Sequence, residues 1–245
     1  MPAIITLLTD YGTRDSYVAE VKGVLLANAP GAALVDVTHD IALGDLRAAS
    51  YLLSRVWERF PRGTVHFVVV DPGVGTPRRA LAAEAHGRFF VAPDNGVLSP
   101  LPADARFVEL PVPAGASPTF HGRDVFAPAA AQLVHGSALT HVGHLITDPY
   151  RSPLAAARRD GNAWVGEVVY VDRFGTLVTN LPGAAPGGRI RVGGHDVGAL
   201  RLTFGDAKHG ELVAFVGSGG TVEIAAREGN AAQLLGVAVG VEVRG

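Results

Sequence analysis

The chain has 245 residues, 48% of them hydrophobic and 18% charged, which is enough apolar material for one large core or two smaller ones and argues against disorder. A formal net charge of -2, with arginines scattered rather than bunched, argues against a non-specific nucleic-acid binder and for a small-molecule partner. With no cysteine there is no disulfide, thiolate nucleophile or Cys-built metal site, so any chemistry falls to His, Asp, Glu, Arg and hydroxyl groups.

The N-terminal run meets Asp10 before a signal-peptide apolar region is complete, and no stretch approaches the roughly 18 apolar residues of a membrane span, so a cytoplasmic protein without membrane contact is expected. Ile4 to Thr9 reads as a strand closed by Asp10-Tyr-Gly, and Ser16 to Ala29 carries apolar residues at helical spacing up to Pro30-Gly31. Ala33 to Val37 repeats the strand, ending near His39-Asp40, and Leu46 to Phe60 reads as a helix stopped by Pro61. Thr64 to Val70 is almost wholly apolar, as a parallel strand covered on both faces should be. Leu81 to Ala85 and Arg88 to Ala92 read as a hairpin, and Asp124 to His135 as a further helix.

The pattern changes after about Pro149. A polar connector from Arg151 to Asn162 leads into expected strands at 165–171, 177–180, 189–192, 212–216 and 222–225, without a helix until 230–235. The expected fold is therefore α/β: an N-terminal three-layer domain with a mostly parallel sheet (1–150) and a smaller, mostly antiparallel C-terminal β domain (160–245). Glycine, alanine and proline are spread throughout, with no repeat or low-complexity segment.

Ligands of open α/β sheets bind beyond the carboxyl ends of the parallel strands, and three expected strands end there in acids: Asp10, Asp36 with nearby His39 and Asp40, and Asp71. Each acid taken alone also suits a turn or a helix cap. Asp71 stands apart, because Pro72 and two glycines follow and return the chain so that Arg78 can pair with it, either as a structural ion pair or as part of a site. Gly73-Val-Gly75 lacks the third glycine of a dinucleotide fingerprint and the Lys-Ser/Thr of a P-loop. His39-Asp40 and His141-Val-Gly-His144 lack the spacing of a zinc hydrolase, and neither a metal nor a cofactor is expected. His121 opens the helix expected beside the third strand, within reach of Asp71 and Arg78.

The segments Leu8-Thr-Asp10-Tyr-Gly, Val35-Asp-Val-Thr-His39, Val70-Asp71-Pro-Gly-Val-Gly-Thr-Pro-Arg78-Arg79, Ala92-Pro-Asp94-Asn95-Gly96, Phe120-His121-Gly-Arg-Asp124 and Val171-Asp172-Arg-Phe174-Gly occur in the order of one family. Over nearly its whole length the chain resembles the S-adenosyl-L-methionine (SAM) hydrolases that form adenosine, also called SAM hydroxide adenosyltransferases, relatives of the fluorinases and chlorinases. The resemblance implies an N-terminal α/β domain, a C-terminal β-barrel-like domain, and a homotrimer with active sites at subunit interfaces. It further implies attack of water-derived hydroxide on the ribose 5′ carbon of SAM, releasing methionine and adenosine. Matched residue by residue, the family's catalytic Asp, Arg and His fall on Asp71, Arg78 and His121.

For substrate binding the resemblance implies Asp10 at the ribose hydroxyls, Asp172 near the methionine ammonium, Phe174 beside adenine, and Ser218 with Glu223 in the C-terminal binding segment, Ser218 facing the methionine carboxylate. Thr176 stands where the family commonly has asparagine, and a single hydroxyl cannot offer an amide's paired donor and acceptor to a base edge. A SAM-dependent halogenase is the alternative within this architecture; in the fluorinases a tyrosine stands at the position of Asp71, so a carboxylate there argues against a halide nucleophile. Two other readings are a SAM- or adenosine-binding module without turnover and a metal-dependent nucleoside or phosphate hydrolase.

Overall fold

A computed structural model describes residues 3–184 and 187–245. The chain forms two compact units, Met1–Pro153 and Leu154–Gly245.

The first unit begins with β1 (Ile4–Thr9), α1 (Tyr17–Asn28), β2 (Ala33–Thr38), α2 (Leu46–Val56) and β3 (Val65–Val69). It continues with β4 (Ala80–Ala85), β5 (Arg88–Pro93), β6 (Arg106–Glu109), α3 (Ala127–Val134), α4 (Leu139–Val142) and β7 (His144–Ile146). The strands make one seven-stranded sheet in the order β2-β1-β3-β5-β4-β6-β7. Its first half is parallel, as the strand–helix alternation predicts, and its second half is an antiparallel meander. Every residue of β3 is buried, which is why its sequence shows no alternation. Val21 and Leu25 of α1 and Phe126, Ala130 and Leu133 around α3 close over Ile5, Leu7, Phe67 and Val69. Truncating Phe126 or Leu25 to alanine there costs about 2–5 kcal/mol.

Two helices differ from the simple periodic reading. Asp45 caps α2 by accepting from the Ala48 amide at 2.9 Å, but the helix ends at Val56 and a 3₁₀ turn through Trp57 and Arg59 carries the chain to Pro61. The helix expected from Asp124 instead opens with a π-helical turn, Gly122–Phe126, in which the Ala127 amide donates to the Gly122 carbonyl. Pro128 lies in the first turn of α3. It has no N–H to donate and its ring crowds the carbonyl four residues back, so a regular α-helix running through from His121 is disfavoured there.

The second unit comprises β8 (Arg158–Asp160), β9 (Ala163–Val171), β10 (Leu177–Pro182), β11 (Arg189–Val192), β12 (His195–Arg201), β13 (Leu212–Val216), β14 (Thr221–Ala226), α5 (Ala231–Leu235) and β15 (Glu242–Arg244). Strand order runs β10-β14-β13-β12-β11-β15-β9-β8, and an additional β10–β9 pairing closes seven of these strands into a barrel. Closure leaves those seven without a free edge, and Val168, Leu177, Ile190, Ala214, Val222 and Ile224 fill the interior. All pairings are antiparallel except β12–β13. β8 lies inside the stretch expected as a connector: its Arg-Arg-Asp is exposed and has no apolar period, and only pairing with β9 makes it a strand.

Candidate active site

At the carboxyl ends of β1 and β3 the first unit carries a cavity of about 630 Å³. Asp10, Tyr11, Asp71, Phe120, His121 and Gly122 are among its lining residues. Asp10 follows β1 directly, and one of its carboxylate oxygens accepts from the Gly44 amide at 3.0 Å. Asp71 follows the buried Val70, whose carbonyl is held by the Asn95 side-chain amide at 2.9 Å.

After Asp71 the chain turns back: the Val74 amide donates to the Asp71 carbonyl, and Thr76 Oγ1 donates to the Gly73 carbonyl at 2.7 Å. Gly75 has φ +78°, and a Cβ there would stand 2.9 Å from the Pro118 carbonyl oxygen, so the loop packs against the segment leading to His121 only with glycine at this position. That packing carries Arg78 over Asp71. Arg78 Nε donates to Asp71 Oδ1 at 2.9 Å and Nη2 donates to Oδ2, a bidentate pair in which both side chains are less than a tenth exposed. Arg78 Nη2 also contacts His121 Nδ1 at 3.1 Å, while the guanidinium lies over the Phe126 ring at 5.5 Å.

The adjacent Arg79 turns the other way, to Asp94 and Asp148 at 2.7 and 2.8 Å. The two arginines of one dipeptide thus divide between Asp71 with His121 and a brace that ties the end of β5 to the segment after β7.

The electrostatics give His121 a definite form. Arg78 Nη2 has only hydrogens to offer, so Nδ1 of His121 is the acceptor and the ring proton sits on Nε2. Burial, and after it the positive Arg78, lower the His121 pKa, so the ring is neutral near pH 7. Burial and the carboxylates of Asp10 and Asp71 raise the Tyr11 pKa, keeping the phenol protonated.

Of the acids expected at the strand ends, Asp10 and Asp71 reach the cavity. Asp36 and His39 do not line it: Asp36 pairs with Lys22 at 2.6 Å, and His39 bridges Asp36 at 3.2 Å and Thr9 Oγ1 at 2.7 Å behind β1. Asp40 is exposed. Among the described residues no group of three or more His, Asp or Glu is placed to hold a metal ion.

The second unit holds its own cavity of about 730 Å³, lined in part by Asp172, Phe174, Thr176, Phe204, Glu223 and Arg227. Asp172 Oδ1 accepts from the amides of Phe174 and Thr176, both at 2.9 Å, which folds the Asp-Arg-Phe-Gly-Thr turn. Phe174 is thereby presented with its side chain outward, 70% exposed, whereas Thr176 is buried. Ser218 lies on the Gly217–Gly220 turn outside this lining. The Glu223 carboxylate lies against the Gly217 backbone of the same turn, in space a Cβ would need. Sequence reasoning missed Phe204, half-exposed and packed on Phe215 at 4.4 Å, because no motif surrounds it. Tyr11 lay inside a quoted motif, but nothing in the sequence aims its side chain.

The family model for the SAM hydroxide adenosyltransferase N-terminal domain matches residues 5–143, and that for the C-terminal domain matches residues 166–244. An (R)-S-adenosyl-L-methionine hydrolase of Thermus thermophilus is 43% identical, with 98% of each chain covered. The crystal structure of an uncharacterized conserved protein from Thermotoga maritima superposes with a TM-score of 0.90 at 35% identity, again over 98% of each chain. A fluorinase of an Actinoplanes species is a more distant relative, 28% identical over 74% of each chain. With both halves matched and a relative at this identity along its whole length, the chain belongs to the SAM hydroxide adenosyltransferase family.

Proposed function

We propose that this protein hydrolyses SAM to adenosine and L-methionine, with Asp71, Arg78 and His121 handling the attacking water. The observation that carries the reading is the Asp71–Arg78–His121 cluster, of which Asp71 and His121 line the first unit's cavity and Arg78 joins the two. It is joined by the name of the Thermus relative, which also specifies the R configuration.

The chemistry follows from the substrate. Methionine leaves as a neutral thioether carrying the electrons of the broken carbon–sulfur bond, so no acid is needed for the leaving group. The nucleophile is the difficulty, because hydroxide is scarce at neutral pH and water attacks saturated carbon poorly. His121 Nε2–H is a donor and Arg78 carries only donors, so the Asp71 carboxylate is the one proton acceptor of the three. Water oxygen bonds to C5′, the C5′–S bond breaks, and the water proton goes to Asp71 and then to solvent. Arg78 holds both Asp71 oxygens in place, which fixes the orientation of the carboxylate toward the water. Holding the oxygen in line with the carbon–sulfur bond supplies the entropic part of the acceleration.

Asp10 binds the ribose hydroxyls in this reading. Asp172, Phe174, Thr176, Ser218 and Glu223 of the second unit bind the adenine and methionine ends. Asp10 lines the first unit's cavity and Asp172, Phe174, Thr176 and Glu223 line the second unit's, and the proposal includes the homotrimer with active sites at subunit interfaces that the resemblance implies. Among the described residues no helix is long and apolar enough to cross a membrane, and we place the reaction in the cytoplasm.

Chromatography of SAM incubated with the protein, in chloride-free and chloride-containing buffer, tests the reading. Adenosine and methionine from wild type, abolished in Asp71→Ala and unaffected by exhaustive chelation, are expected. Halogenated adenosine would assign the protein to its halogenating relatives, and tight binding with SAM left intact would make it a binding module. Mixing inactive Asp71→Ala and Glu223→Gln subunits tests the shared site: activity regained on reassembly is expected, and a monomeric mass at micromolar concentration contradicts it.

A further inference from the structure

We propose that the Tyr11 hydroxyl is a fourth polar group of the catalytic centre, accepting a hydrogen bond from the O–H that the attacking water keeps and so aiming the oxygen lone pair at the reacting carbon. The inference rests on the SAM-hydrolase reading and deepens it.

Tyr11 leaves β1 between the acid assigned to the ribose and the turn at Gly12, and it lines the same cavity as Asp71 and His121. Its backbone is held from both sides: the Tyr11 amide donates to Thr9 Oγ1 at 3.3 Å, and the Gly12 amide donates to the His39 carbonyl at 2.8 Å. Its ring packs edge-on against Phe120 at 6.0 Å and obliquely against Tyr17 at 6.2 Å. The hydroxyl comes to rest against Gly122, the residue after His121, where a Cβ would collide with Oη. Glycine at 122 is therefore what admits the phenol to the catalytic cluster.

Among the described residues no group hydrogen-bonds to this hydroxyl, and it is not among the polar atoms sealed from solvent without a partner. The phenol oxygen therefore keeps access to solvent and an unused hydrogen-bonding capacity on a residue that lines the cavity. Its protonated form is secured by the surrounding burial and acids, so it acts by hydrogen bonding and not as a base.

The geometry of water defines what is missing. A water poised to attack has two protons and two lone pairs. One proton passes to Asp71, one lone pair accepts from His121 Nε2–H, and the second lone pair must face C5′. The remaining proton needs an acceptor, and neither Arg78 nor the His121 donor is one. Tyr11 Oη supplies it, and no proton is gained or lost at the phenol during the reaction.

The test is Tyr11→Phe, which keeps the ring packing and removes only the hydroxyl, measured by steady-state hydrolysis of SAM and by thermal unfolding beside wild type. A fall in kcat of about 10- to 100-fold is expected, with KM for SAM changed less than about threefold and Tm unchanged. A kcat within about twofold of wild type overturns the inference. So does a rise in KM larger than the fall in kcat, which would mark a contact to bound SAM instead of to the water. Wild type without turnover would overturn the hydrolase reading itself, whereas failure in the variant alone leaves that reading standing.

Discussion

The Arg78 guanidinium stands 3.1 Å from Nδ1 of His121 while its other edge grips both oxygens of Asp71. One side chain thus fixes the orientation of the carboxylate and the tautomer of the imidazole together.

That double role predicts the cost of replacing it. Arg78→Lys keeps the charge but has one compact ammonium in place of a planar fork, so it cannot hold two carboxylate oxygens and an imidazole nitrogen at fixed angles. We expect kcat for SAM hydrolysis to fall by about 100-fold or more with KM little changed. Activity within about threefold of wild type would show that charge alone suffices.

The His121 tautomer sets the acid limb of the pH profile. Protonation would put a hydrogen on Nδ1, facing the Arg78 hydrogens, and break the contact. Because burial and Arg78 lower the His121 pKa, the neutral ring persists below its ordinary value of 6.5. The predicted kcat therefore holds as pH falls through 6.5 and declines only at lower pH, measured between about pH 5 and 9. A midpoint above 6.5 would contradict this assignment.

The contact between Gly122 and Tyr11 gives a paired prediction. Gly122→Ala forces its Cβ onto the Tyr11 hydroxyl, so both Tm and kcat should drop. In the Tyr11→Phe background the nearest atom is a ring carbon at 3.2 Å, and most of the Tm loss should disappear. Equal losses in both backgrounds would place the strain elsewhere.

A second histidine governs acid stability. His66 is buried on β3, bonded through Nδ1 to Thr6 Oγ1 at 2.8 Å and stacked on Phe90 at 5.0 Å, and burial pushes its pKa down to about 3. The folded state therefore favours the neutral ring over an unfolded value of 6.5. Its contribution to stability is complete above pH 6.5 and is lost as pH falls toward 3, at up to about 1.4 kcal/mol per pH unit. Urea unfolding at about pH 7, 5 and 4 should show a steeper decline for wild type than for His66→Gln, and parallel declines would refute the assignment.

In the second unit, Phe174 is held outward by the Asp172 turn and flanked by Arg173 over its ring at 5.5 Å. Phe174→Ala should raise KM for SAM about 10-fold with Tm unchanged, since little of this side chain contributes to the core. An unaltered KM would remove it from the substrate site.

The strand–helix alternation through β3, the fully buried run Val65–Val69, apolar but for His66, and the acids at the strand ends were all legible in the chain, because periodicity, turn residues and caps act over a few neighbouring residues. The motif order carried the family and the candidate triad for the same reason: Asp71, Pro72, the glycines and Arg78 lie close in sequence, and His121 sits in a distinctive segment of its own. Pairing between distant segments was not legible. β12, interrupted by Gly198, and the three-residue β15 have no strand-like pattern, and exist because their neighbours in the barrel satisfy their backbone groups. The opposite turns taken by Arg78 and Arg79, the His121 tautomer set by a residue 43 positions away, and the seating of the Tyr11 hydroxyl on Gly122 each depend on where separate elements come to lie. Local sequence determines which groups the chain can offer, and packing decides which of them meet.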